Sequence, residues 1–124
     1  MINFTLEKNA TGLSVTSWQP TSVTINGREY GHSIILTPEK VHNWAPSSTE
    51  ELDPSQITEL LNHPADVLIL GTGVKQKLLD VALLSPFYRQ GIGIEVMNSN
   101  AACHTFNILI AEGRRPVAGI IIET

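Results

Sequence analysis

The sequence predicts an α/β domain of three layers. A central, mostly parallel β-α-β-α-β sheet carries its helices on one face, and an N-terminal antiparallel β layer plus one helix covers the other. Three observations lead there. Residues 67–122 alternate short apolar runs (Val67-Leu68-Ile69-Leu70, Gly93-Ile94-Glu95-Val96-Met97, Val117 to Ile122) with helix-length segments. Such continuous apolar strands suit a parallel sheet covered on both faces. Residues 1–44 instead alternate and turn like antiparallel structure. The length, 124 residues, suits one domain with a single core. We therefore read 1–124 as one domain, with a β-rich layer over 1–45, a connecting helix over 46–64 and a parallel core over 65–124.

The elements follow in order. Leu13 and Val15 share one face of a strand, Ser17 comes next on it, and Trp18 stands before the Gln19-Pro20 break. Val23-Thr24-Ile25 runs into Asn26-Gly27, a pair suited to the positive φ of both central positions of a type I′ turn. The return strand spans roughly 28–36 before Thr37-Pro38, long enough to extend the central sheet as well. Val41 to Trp44 reads as another short strand, and Pro46-Ser47-Ser48 marks the join. Asp53 is an N-cap with Pro54 at the first helical position, and Ile57, Leu60 and Leu61 give that helix one apolar face before it stops at Pro64.

Between Gly73 and Gly91, Leu78, Leu79, Ala82 and Leu83 suit a helix, but Pro86 falls inside the pattern. Either Ser85 caps a second short helix with Pro86 at its first position, or one helix bends there. The segment from Asn100 to Glu112 is a clearer helix. Asn98 or Ser99 can cap it, Ala101, Ala102, Thr105, Phe106, Ile108 and Leu109 pack it, and Gly113 ends it. Two right-handed crossovers running in the same direction would put both of these helices on one face. The N-terminal β half and the 54–62 helix are then left to cover the other.

Composition excludes several classes. Hydrophobic residues make up 42% and charged residues 16%, far from a disordered chain. The formal charge is −4 and the eight Lys and Arg are scattered, which gives no footprint for nucleic acid. One Cys rules out an internal disulfide and a zinc cluster of the usual kind. No apolar segment follows a basic start, and no run approaches the twenty or so residues that span a bilayer, so a cytoplasmic, non-spanning protein is expected.

Leu68-Ile-Leu-Gly-Thr-Gly73, Gly91-Ile-Gly-Ile-Glu-Val-Met97, Ala101-Ala-Cys-His-Thr-Phe-Asn107 and Ala111-Glu-Gly-Arg-Arg115 together resemble the signature of a small bacterial and archaeal domain family. That family includes the mitochondrial assembly factors of NADH:ubiquinone oxidoreductase (complex I). The resemblance covers nearly the whole chain and implies a similar layered fold and an assembly-type role. The chain departs from the family at Asn98-Ser99, where Asp-Thr is frequent, and at His104, where Arg is common. An anion site built on those positions is therefore not carried over.

The residues themselves offer few chemical candidates. Gly71-Thr72-Gly73 lies at the carboxyl end of a parallel strand, where open α/β sheets hold ligands, and Asn98 and Ser99 would share that crevice. The motif is neither Gly-x-Gly-x-x-Gly nor a P-loop, and a tight turn that simply needs glycine is the preferred reading. Cys103 sits early in a helix but lacks a relay, since His104 points elsewhere. The four histidines show no ligand spacing, so no metal and no cofactor is indicated. Glu95 lies mid-strand and, if covered, needs a partner; Arg28, Arg114 and Arg115 are the candidates, with structural ion pairing of Glu95, Arg114 and Arg115 preferred over an anion site. Trp18 and Trp44 either plug the β layer onto the sheet or anchor a partner. With no triad or acid–base pair in view, the sequence favours a non-catalytic protein-interaction or assembly-type factor over an enzyme. A small-ligand binder or enzyme using Gly71–Gly73 is the alternative. Oligomeric state is not readable from the chain.

Overall fold

A computed structural model describes residues 2–3 and 12–123. Strands β1 (Ile2–Asn3), β2 (Val15–Gln19), β3 (Ser22–Ile25) and β4 (Arg28–Tyr30) form an antiparallel sheet in that order. The β3–β4 turn is the one the Asn26-Gly27 pair calls for, with φ at +49° and +84°. A second sheet has the order β6-β5-β9-β7-β8, built from β5 (Ile34–Leu36), β6 (Val41–Asn43), β7 (Val67–Gly71), β8 (Ile94–Met97) and β9 (Pro116–Ile120). The helices are α1 (Pro54–Thr58), α2 (Val81–Arg89) and α3 (Ser99–Ala111), with 3₁₀ turns at Thr49–Glu51 and Glu59–Asn62.

The expected return strand over 28–36 is two strands. It breaks at Gly31-His32-Ser33, so that β4 closes the first sheet while β5 enters the second. There β5 runs antiparallel to β9 and to β6, whereas β7 is parallel to both β8 and β9. The five-stranded sheet is thus mixed, with its three parallel strands side by side.

The placement of the helices corrects the sequence expectation. The step from β7 to β8 moves one position outward, but the step from β8 to β9 returns past β7 to its other side. Right-handed crossovers that reverse direction put their helices on opposite faces. Accordingly α3 shares a face with the N-terminal sheet: Ala102, Cys103, Phe106 and Leu109 pack with Val15, Trp18, Val23, Ile25, Ile69 and Ile120. On the other face α2 joins α1, where Leu84 and Phe87 meet Ile57, Leu60, Leu68, Leu70 and Val117. The period-two alternation of β9 serves both cores, Val117 and Ile121 facing α1 and α2, Ala118, Ile120 and Ile122 facing α3.

Pro86 neither restarts nor splits its helix. A single helix begins at Val81, capped by Asp80, whose carboxylate accepts from the Ala82 amide at 3.0 Å. Pro86 has no N–H for the Ala82 carbonyl four residues back, and the Ser85 hydroxyl donates to that carbonyl instead at 3.1 Å.

Both tryptophans are buried, which removes them as partner anchors. Trp18 belongs to the α3 core. Trp44 packs on the α1 face, donating its indole N–H to the Gln56 carbonyl at 3.2 Å, and does not hold the β layer in place. Trp44 lies flat on β9 because Gly119 has no side chain: a methyl built there would sit 2.7 Å from Trp44 Cζ3 and 3.1 Å from Leu60 Cδ2. Gly119→Ala is therefore expected to destabilise the fold by about 1–3 kcal/mol through overpacking. Urea unfolding of the two proteins measures it, and an unchanged midpoint would refute the contact.

Candidate functional site

The reversal of crossover direction makes the gap between the carboxyl ends of β7 and β8 a topological switch point, the usual ligand position in an open α/β sheet. Gly71, Thr72, Gly73, Asn98 and Ser99 all converge there, as the sequence suggests. Hydrogen bonds within the fold take up the polar groups of Thr72 and Ser99. The Thr72 amide donates to the Met97 carbonyl at 2.8 Å and the Ser99 amide to the Gly73 carbonyl at 2.8 Å. The Ser99 hydroxyl accepts from the Gly73 amide at 2.8 Å and donates to the Ile121 carbonyl at 2.7 Å. One side chain thereby ties together the loops after β7, β8 and β9.

Thr72 closes the turn that follows. Its hydroxyl donates to the Lys75 carbonyl at 2.6 Å and accepts from the Lys77 amide at 3.2 Å. Asn98 caps α3, its side-chain oxygen accepting from the Ala101 amide at 2.8 Å. Thr72 and Ser99 are both fully buried. Gly71 lets α3 approach closely, since a methyl there would lie 2.9 Å from the Ser99 Cα. Gly73, at φ +102°, leaves room for the Glu123 carboxylate, which accepts from the Val74 amide at 2.9 Å and meets Lys77 Nζ at 3.4 Å. Lys77 reaches Glu50 as well, at 3.2 Å. Gln76 donates across to the outward-facing Val96 carbonyl of β8 at 3.4 Å.

The expected ion pairing of Glu95 with Arg114 and Arg115 does not form. β8 is an edge strand, and α3 lies over β7 and β9, so the Glu95 side chain stands in solvent. Arg115 pairs in a bidentate fork with Glu39, at 2.7 and 2.6 Å, and holds the Glu39 carboxyl below the ordinary carboxylate range. Its Nε donates to the Pro64 carbonyl at 2.9 Å and its amide to Asp66 at 3.0 Å. The amides of Gly113 and Arg114 donate to the Ile110 and Leu109 carbonyls, at 3.0 and 2.9 Å, and close α3 in a Schellman motif. The Arg114 guanidinium is exposed and has no partner among the described residues. Both arginines lie at the amino-end edge of the sheet, far from Thr72.

Cys103 is wholly buried, and burial drives its thiol far above the ordinary range, so it holds no thiolate. Sequence reasoning missed Asn107, whose amide oxygen accepts from the Val15 amide at 2.9 Å while its nitrogen donates to the Val15 carbonyl at 2.8 Å. This pair of hydrogen bonds to β2 links the N-terminal sheet to α3. The rings of His42 and His63 also meet, 4.8 Å apart, a pairing invisible at a separation of 21 residues. No group of three metal-ligating side chains occurs among the described residues, nor is any helix there long and apolar enough to cross a membrane.

The chain belongs to the family described as Protein of unknown function (DUF498/DUF598), whose model matches residues 15–121. It is 29% identical over 119 residues to NADH dehydrogenase (ubiquinone) 1 alpha subcomplex assembly factor 3 of Danio rerio, across 94% of this chain and 68% of that protein. Over the assembly factors of this name from fish and mammals, the chain spans 59% to 68% of the relative's length. A 13 kDa major membrane protein of Francisella tularensis is 29% identical over 79% of this chain and 80% of its own length. A crystal structure of a Bordetella parapertussis protein superposes with a TM-score of 0.86 at 30% identity, covering 94% of this chain and all of that one. The family resemblance read from the four motifs is thereby established, and the mixed α/β fold with it.

Two measurements test the site. Ser99→Ala strips the buried Gly73 amide of its acceptor and is expected to cost about 1–3 kcal/mol in urea unfolding; a loss within error would mean the three loops are held otherwise. Cys103 is expected to resist Ellman's reagent in the folded protein and react fully in denaturant. Rapid labelling of the native state would contradict its burial.

Proposed function

We propose that this chain is a non-catalytic protein-interaction or assembly-type factor, with a role linked to the building of respiratory complex I. The observation that carries the reading is the closed switch point: the groups that would meet a ligand, Thr72 and Ser99 above all, bond within the fold. Relatives named as complex I assembly factors give the role its direction. The surface supplies what a partner would need. Leu78 is 100% exposed, Val81 71% and Tyr88 58%, on the segment that leads into and forms the outer side of α2. Large apolar side chains exposed along one segment are typical of a contact surface.

Cytoplasmic residence belongs to the same reading, and the name of the Francisella relative makes membrane fractionation its natural check. The alternative, a small-ligand binder or enzyme at Gly71, Thr72, Gly73, Asn98 and Ser99, is favoured by the position of these residues at the switch point alone. A thermal-shift screen of nucleotides and metabolites separates the two, because a ligand of the native state must raise Tm. We expect no such shift that Ser99→Ala abolishes. Tagged chain recovered from its own organism is expected to bring NADH:quinone oxidoreductase subunits with it, and Leu78→Asp to lose about tenfold of that recovery. Recovery of no such subunits, or equal recovery by the variant, would count against the reading or against this surface respectively.

A further inference from the structure

We propose that the open cavity at the amino-end edge of the five-stranded sheet binds a small organic carboxylate with an apolar body. Its volume is about 450 Å³, and its walls are Gly12, together with Pro38 and Glu39 from the loop after β5, Ile110 and Gly113 from the end of α3, and Arg114 and Arg115. Small-molecule sites span roughly 300–1,000 Å³ and combine apolar walls with a few placed polar groups.

Charge selects the ligand. Arg115 is already engaged by Glu39 in a two-point fork, so among the described residues the Arg114 guanidinium is the wall's cation without an ion pair. Its backbone N–H donates a hydrogen bond to the Leu109 carbonyl, so the side chain starts from a fixed point. A guanidinium with free N–H groups matches a carboxylate bidentately. The negative end of the α3 dipole, beside Arg114, opposes a second negative charge on the ligand. A phosphate monoester is thus disfavoured and a monoanion preferred. Ile110, partly buried against the α3 core, and Pro38 supply the surface for the apolar body. The proposal stands independently of any assembly role.

The test is amide NMR of the full chain titrated with hexanoate, with hexanol and with hexyl phosphate. Hexanoate is expected to give saturable shifts at Gly12, Ile110 and Gly113 in the millimolar range, with hexanol and hexyl phosphate about tenfold weaker. Arg114→Gln should weaken hexanoate by about tenfold or more while leaving the remaining spectrum in place, since no hydrogen bond or ion pair of that side chain is lost among the described residues. Pro38→Glu, which adds a carboxylate to the wall, should weaken it as well. No saturation with hexanoate, an unchanged response in Arg114→Gln, or tighter binding of the phosphate overturns the proposal.

Discussion

Strand β9 is hydrogen-bonded to a parallel neighbour, β7, and to an antiparallel one, β5, and both cores are hung on its two faces. A strand so placed has no edge and no solvent face, and every residue from Pro116 to Ile120 is buried. The steric terms are strict. Gly119 must remain bare for Trp44 to lie against the sheet, and Ala118 is buried beneath the α3 core. Its insertion between β5 and β7 forces the chain to double back after β8, and this doubling back sends α2 and α3 to opposite faces.

That same event separates what the sequence discloses from what it conceals. The apolar runs of β7, β8 and β9, the Asn26-Gly27 turn, the Asp53-Pro54 helix start and the Gly113 stop are local, and local rules read them correctly. Strand order is not local. Nothing in Val117 to Ile122 says which side of β7 it will join, so the layer that α3 occupies could not be read from periodicity. Glu95 illustrates the cost: treated as covered mid-sheet it needs a partner, yet on an edge strand it needs none. At the candidate site the residues that converge, Gly71 to Gly73 with Asn98 and Ser99, were legible from their place after parallel strands. Their mutual saturation was not, because it depends on the Ile121 carbonyl arriving from β9.

The closed switch point and the exposed approach to α2 distribute the polar and apolar resources of the fold in an uncommon way. Side chains that an α/β enzyme of similar topology would aim at a substrate here join three loop ends. The apolar side chains left without a core partner lie on the loop and helix next to that junction. The chain belongs to a family of unknown function and is similar to proteins named as assembly factors.

The edge position of β8 has a consequence for solution behaviour. An unpaired strand beside two parallel ones is a template on which another polypeptide can lengthen the sheet indefinitely. Two side chains stand in the way. Gln76 occupies the outward carbonyl of Val96, and Glu95 projects a lone negative charge from the middle of the rim. Glu95 thus sets a charge on an otherwise open strand rim, a common guard against edge-to-edge association.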